Sequence, residues 1–171
     1  VEELFASDRQ LPAHLLRLHK PERTMLLVDD EVNVVASLKR LFRRDRYAIL
    51  TANSGQEGLD ILAKHKVDVI VSDQRMPGMT GVEFLRAAKA LYPDTIRIVL
   101  SGYTELQSVT DAINEGAVYR FLTKPWEDEH LREHVSKAFE YKELLEENKQ
   151  LDLRIRSTNQ ELLAANRQLG V

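Results

Sequence analysis

Residues Val67–Gly81 read VDVIVSDQRMPGMTG, and the punctuation of this stretch decides the fold. Val67–Val71 is a short apolar run rich in a β-branched residue, which suits a buried strand better than a helix. Asp73 closes the run, and Pro77-Gly78 marks a turn. Phe84, Leu85, Ala88 and Leu91 then recur at helical spacing until Pro93 stops them. Strand, carboxylate, turn and helix make one α/β unit with an acidic group at the carboxyl end of its strand.

The same grammar extends in both directions. Upstream, Met25–Val28 is a strand closed by Asp29-Asp30, and Val34, Val35, Leu38, Leu41 and Phe42 mark a helix. Ala48–Ala52 is a second strand, followed by a helix carrying Gly58, Leu59, Ile61 and Leu62. Downstream, Ile96–Leu100 is a strand closed by Ser101. Leu106, Val109 and Ile113 mark a helix ended by Gly116, and Val118–Leu122 is the last strand, with Lys124-Pro125 just beyond it. Five strands alternating with helices predict right-handed crossovers and a sheet covered on both faces. The expectation is an α/β, flavodoxin-like, doubly wound five-stranded parallel sheet over residues 24–137, followed by a long coiled-coil helix. Residues 1–23 read as a lead-in or linker, with Leu11, Leu15 and Leu18 at helical spacing; residues 138–171 read as a stalk continuous with the last helix.

Parallel α/β sheets gather ligands at the carboxyl ends of their strands, so Asp29, Asp30, Asp73, Ser101 and Lys124 should converge on one rim. Three carboxylates, a hydroxyl and an ammonium suit a hard divalent cation and a phosphoryl group. A carboxylate is a competent nucleophile toward phosphorus. Grouped carboxylates repel one another and call for a cation, and Mg2+ prefers oxygen ligands. Lys124 would balance charge on the transferring phosphoryl group, and a cis bond to Pro125 would aim its ammonium into the cleft.

Each group alone has a plainer reading. An acidic pair after a strand is commonly a solvated loop or a helix cap, Asp73 could cap a turn, and Ser101-Gly102 is an ordinary turn. A lone Lys-Pro means little, and Phe121 in an apolar strand is core by default. The ordered set is what points to chemistry.

MLLVDDE (Met25–Glu31), VIVSDQRMPGMTG (Val69–Gly81), IVLSGY (Ile98–Tyr103) and YRFLTKPW (Tyr119–Trp126) together resemble a CheY-like response-regulator receiver domain of two-component signalling. The resemblance implies that Asp73 accepts a phosphoryl group from a histidine kinase or phosphotransfer protein. It implies that Asp29, Asp30 and Asp73 hold Mg2+ with the backbone carbonyl of Arg75. Lys124 would contact the phosphoryl oxygens, and Ser101 and Phe121 would be the hydroxyl and aromatic switch positions. The hydroxyl position holds Ser where Thr is also frequent, and the aromatic position holds Phe where Tyr is frequent. Neither departure touches phosphorylation itself. Arg75 and Tyr103 should border the mouth of the site, either shielding an acyl phosphate or simply solvated.

Composition narrows the field. The formal net charge of -3 argues against direct nucleic-acid binding through bulk electrostatics. No apolar run is long enough for a membrane span and nothing resembles a signal peptide, so a cytoplasmic protein is expected. Cysteine is absent, which removes disulfides and thiolate chemistry. His130 to His134 matches an H-x-x-E-H pattern, but Leu131 and Val135 should form the buried side of that helix, leaving the histidines on a solvated surface.

The last third carries a heptad seam. Asn148, Ile155, Leu162 and Leu169 fall at a, and Leu144, Leu151, Thr158 and Ala165 at d. A parallel homodimer from about Glu140 to Leu169 is the expectation; Asn148 would fix its register, and Thr158 and Ala165 would weaken it. A helix packed back on its own domain is the alternative. Because the chain begins at Val1 and stops mid-heptad, an output module is expected outside it. By resemblance that module is a cyclic-dinucleotide enzyme or a transcription activator, with the coiled coil leaning toward the former. In either case the chain would be no enzyme beyond taking up and slowly losing its own phosphoryl group. The competing reading is a receiver-like dimerisation scaffold without phosphoryl chemistry.

Overall fold

A computed structural model describes residues 22–169, so the expected lead-in helix around Leu11, Leu15 and Leu18 lies outside the described residues. The element order is β1 (Thr24–Val28), α1 (Val32–Leu41), β2 (Ala48–Ala52), α2 (Gly55–Lys64), β3 (Val69–Asp73), α3 (Gly81–Leu91), β4 (Ile96–Ser101), α4 (Leu106–Asn114), β5 (Arg120–Thr123) and α5 (Asp128–Leu169). All neighbouring strands are parallel, and the sheet is ordered β2-β1-β3-β4-β5. This is the flavodoxin-like doubly wound order, whose switch point falls between β1 and β3.

The inner strands β1, β3 and β4 read as largely apolar runs because both faces of the sheet are buried there, while the edge strands β2 and β5 are partly open. Alternate residues of β1 go to opposite cores, Leu26 and Val28 to one, Met25 and Leu27 to the other. The first core is roofed by α2, α3 and α4 through Leu62, Phe84, Leu85, Ala88, Val109 and Ala112. The second is roofed by α1 and α5 through Leu38, Leu131, Val135, Ala138 and Phe139. Each fully buried Leu, Val or Phe is worth about 1.5–3 kcal/mol relative to an exposed one.

Some strand bounds and one helix face differ from the sequence reading. The ladder between β1 and β3 opens with Met25 opposite Val69, so β3 runs Val69–Asp73 and Val67 packs in the core ahead of it. On β5 the ladder opens with Ile98 opposite Arg120, which places Val118 before the strand. On α4 the buried face is Val109 and Ala112, while Leu106 and Ile113 are exposed.

Two local features hold the loops above the strand ends. Ser54 caps α2 by accepting from Glu57 N at 3.1 Å, and Thr80 caps α3 by accepting from Glu83 N at 3.2 Å. Gly81 opens α3 directly against β3: a Cβ there would lie 2.1 Å from the Asp73 carbonyl oxygen, so only glycine allows this approach.

Helix α5 has 42 residues, about 63 Å at the usual rise, and it divides into two parts. Its first half belongs to the fold. Beyond Phe139, buried Lys142 pairs with Glu146, Tyr141 stacks on Tyr119 at 5.1 Å, Glu143 binds Arg23 at 2.6 Å, and Lys149 reaches Asp94 at 3.2 Å. From Glu147 to Leu169 every residue is exposed, including Leu151, Ile155, Leu162 and Leu169. No helix among the described residues is long and apolar enough to cross a membrane.

Candidate functional site

The five groups expected on one rim all stand at the carboxyl ends of strands. Asp29 and Asp30 follow β1, Asp73 ends β3, Ser101 ends β4, and Lys124 follows β5. Backbone bonds between neighbouring strand ends fix them there. Asp29 N donates to Ala52 O at 3.1 Å, Gln74 N to Leu100 O at 3.0 Å, and Lys124 N to Ser101 O at 3.0 Å.

One carboxylate oxygen from each of Asp29, Asp30 and Asp73 can be chosen so that all lie within 4.8 Å of one another. Asp29 and Asp73 are only 1% and 7% exposed, while Asp30 is open to solvent. Lys124 Nζ donates to Asp29 Oδ2 at 3.2 Å and lies 2.8 Å from Asp73 Oδ1; the Lys124-Pro125 bond is cis. Asp29 Oδ1 accepts from Glu31 N at 2.9 Å, so both Asp29 oxygens have partners. Asp30 has the freer carboxylate.

Burial pushes the Asp73 carboxyl above the usual aspartate range; the Lys124 ammonium opposes this and the Asp29 charge adds to it. For Lys124, burial alone would lower the ammonium, but the bond and charge of Asp73, with the charge of Asp29, outweigh it and raise its pKa. The lysine is thus held as a cation between two carboxylates. The acidic cluster offers hard oxygen donors with room for a divalent cation, and Mg2+ fits such a donor set.

Around this centre, Ser101 is 1% exposed, and its Oγ lies 3.2 Å from Glu105 Oε2 and 3.1 Å from Gly102 O. Phe121, opposite Val99 in the ladder, is half-buried against the first core. The Arg75 side chain is 80% exposed and donates from Nε to Glu105 Oε1 at 3.0 Å. The Tyr103 side chain lies outside the described residues. His130 and His134 sit on the outer side of α5 with Nε2 atoms 3.0 Å apart, while Leu131 and Val135 are buried, as the spacing predicted.

The sequence reading missed Gln74 and Glu105. Gln74 is buried, and its Oε1 accepts from Val82 N at 2.8 Å, pinning the start of α3 beside Asp73. Glu105 looked like a solvated turn charge. The only signal for it was its position one helical turn beyond Ser101, opposite in charge to Arg75.

The family model of the response regulator receiver domain matches residues 25–136. The hydrogenase transcriptional regulatory protein HoxA of Cupriavidus necator is 38% identical over 137 residues, 80% of this chain and 28% of that protein. Sporulation initiation phosphotransferase F of Bacillus subtilis is 30% identical over 113 residues, 66% of this chain and 90% of that protein. The crystal structure of an uncharacterized protein from Neptuniibacter caesariensis aligns with a TM-score of 0.71 at 44% identity, covering 74% of this chain and 93% of that one. The chain spans under a third of the length of the hydrogenase regulator. Since the match runs unbroken from β1 into α5 and takes in every strand of the sheet, the chain belongs to the response regulator receiver domain family of two-component systems.

Proposed function

We propose that the chain is the phosphoacceptor of a two-component relay, with Asp73 as the residue modified. The observation that carries this reading is the contact of Lys124 Nζ with Asp73 Oδ1 at 2.8 Å inside the acidic cluster. A buried cluster of like charges is costly unless it is used, and a purely dimerising scaffold gains nothing from keeping it.

In the transfer, an Asp73 oxygen bonds to phosphorus. The P–N bond of a phosphohistidine on a kinase or phosphotransfer protein breaks, and the imidazole leaves with the electron pair and takes a proton from solvent. Lys124 neutralises charge on the phosphoryl oxygens, and Ser101 donates a hydrogen bond to one of them afterwards. Asp30, Asp73 and the Arg75 carbonyl would hold Mg2+, with Asp29 directly or through water. Bound there, the ion supplies charge neutralisation for the incoming phosphoryl group. Ser101 and Phe121 are the switch pair that passes the new state to the β4–α4 and β5 side of the sheet.

Residues 24–137 would form the receiver and residues 138–171 a stalk continuous with its last helix, whose Ala138 and Phe139 still pack in the second core. On α5, Tyr141 stacks on Tyr119, Glu143 binds Arg23 and Lys149 binds Asp94, and these are its contacts with the domain beyond Phe139 among the described residues. Leu144, Asn148 and Leu151, at a and d, remain open. One helix can therefore dock on its own domain and pair with a second copy, which supports a homodimer. The output is a cyclic-dinucleotide enzyme or a transcription activator, and its chemistry does not belong to this cytoplasmic receiver, whose own reaction is uptake and slow loss of a phosphoryl group.

Acetyl phosphate with Mg2+ should add one phosphoryl mass to the chain, and chelation of the metal should prevent it. No mass gain under these conditions favours the scaffold reading.

A further inference from the structure

Arg75 and Ser101 leave the ends of the neighbouring strands β3 and β4, and both reach one carboxylate outside the acidic cluster. Glu105 ends the single helical turn Tyr103–Glu105 that joins β4 to α4. Its Oε2 lies 3.2 Å from Ser101 Oγ, and its Oε1 accepts from Arg75 Nε at 3.0 Å. A serine hydroxyl has one proton, which Ser101 can turn to Glu105 or to Gly102 O at 3.1 Å, so it cannot serve either of them and a phosphoryl oxygen together.

We propose that Glu105 is the resting-state partner of the switch hydroxyl, holding Ser101 and Arg75 on its carboxylate until a phosphoryl group on Asp73 takes both donors from it. The inference rests on Asp73 as phosphoacceptor. Phosphoryl oxygens are strong charged acceptors, and guanidinium matches them in geometry. The new anion also repels the Glu105 carboxylate. The turn leading into α4 then loses its side-chain ties to the ends of β3 and β4, so chemistry at Asp73 is felt at the start of that helix. Glu105 is a positioning residue: it acts through Ser101 and Arg75, not on phosphorus.

The test follows phosphorylation of the full chain by acetyl phosphate and Mg2+, using intact mass. Glu105→Ala should be phosphorylated roughly threefold to tenfold faster than wild type, because two donors are released in advance. Glu105→Gln should fall between, keeping an acceptor for Ser101 but losing the charge that holds Arg75, and it carries the test alone if the alanine variant does not fold. In a Ser101→Ala, Arg75→Ala background, either Glu105 substitution should change the rate by less than about twofold, an insensitivity that a merely structural role would not give. Equal rates for wild type and the Glu105 variants, or the same gain in both backgrounds, overturn the inference. A wild-type chain that takes up no phosphoryl group overturns the Asp73 reading instead, and the inference with it.

Discussion

Lys124 Nζ lies 2.8 Å from Asp73 Oδ1, a contact that reaches from the end of β5 across β4 to the end of β3. Only a long cation could make it, and the backbone bond from Lys124 N to Ser101 O sets its starting point. Lys124→Ala should therefore slow phosphorylation by acetyl phosphate roughly tenfold or more, because the phosphoryl oxygens lose a charge partner. An unchanged rate, measured by intact mass, would remove the lysine from the transfer.

The raised pKa of Asp73 makes a statement about stability. Burial is its first cause, so the folded state binds the proton more tightly than the unfolded state does. As pH rises from the unfolded-state pKa through the folded one, the fold loses stability to this buried charge. Asp73→Asn should thus melt above wild type at neutral pH without divalent cation. The two should converge in acid, where both side chains are uncharged. Thermal melts across pH check this, and a wild type more stable than the variant at neutral pH would refute it.

Asp30 is the exposed member of the acidic cluster, and its side chain makes no hydrogen bond or ion pair among the described residues. Asp30→Ala should weaken Mg2+ binding at least about tenfold, or about 1.4 kcal/mol, and slow phosphorylation in parallel. Calorimetric titration with Mg2+ checks this, and equal affinity would exclude the proposed ligand set.

The contacts of α5 with its own domain run no further than Lys149 among the described residues, so docking can be separated from the proposed dimerisation. Truncation after Lys149 keeps the Lys142–Glu146 and Lys149–Asp94 pairs but removes the seam beyond Asn148. It should leave a folded monomer in sedimentation, while the full chain is a dimer. Asn148→Leu should tighten the dimer and loosen its choice of oligomer. A full chain that sediments as a monomer at micromolar concentration would defeat the stalk.

Gly81 lies against the carbonyl of the proposed phosphoacceptor. Gly81→Ala should cost about 2–4 kcal/mol in denaturant melts, since a Cβ 2.1 Å from backbone cannot be absorbed by a flexible side chain.

The fold was legible because the inner strands are largely apolar runs with a polar group at their ends, and that rule also marked Asp29, Asp30, Asp73 and Ser101. What escaped depends on partners distant in sequence. Arg97 hides inside the apolar run of β4, buried with Nε on Ala117 O at 2.8 Å and Nη1 on Thr95 O at 2.7 Å. Gln74 and Glu105 carry no periodic mark, because each serves a neighbouring loop. The heptad reading foresaw α5 as one long helix continuous with the last helix of the receiver. Its alternative, a helix packed back on its own domain, describes the near half, where Glu143 binds Arg23 and Lys149 binds Asp94.

Locating the phosphoryl group on the chain tests the central claim most directly. After treatment with acetyl phosphate and Mg2+, borohydride reduction converts an aspartyl phosphate to homoserine, which peptide mass spectrometry can place. Conversion at position 73 in wild type, with none in Asp73→Asn, is the predicted result. Conversion at Asp29, Asp30 or elsewhere with position 73 unmodified would contradict it.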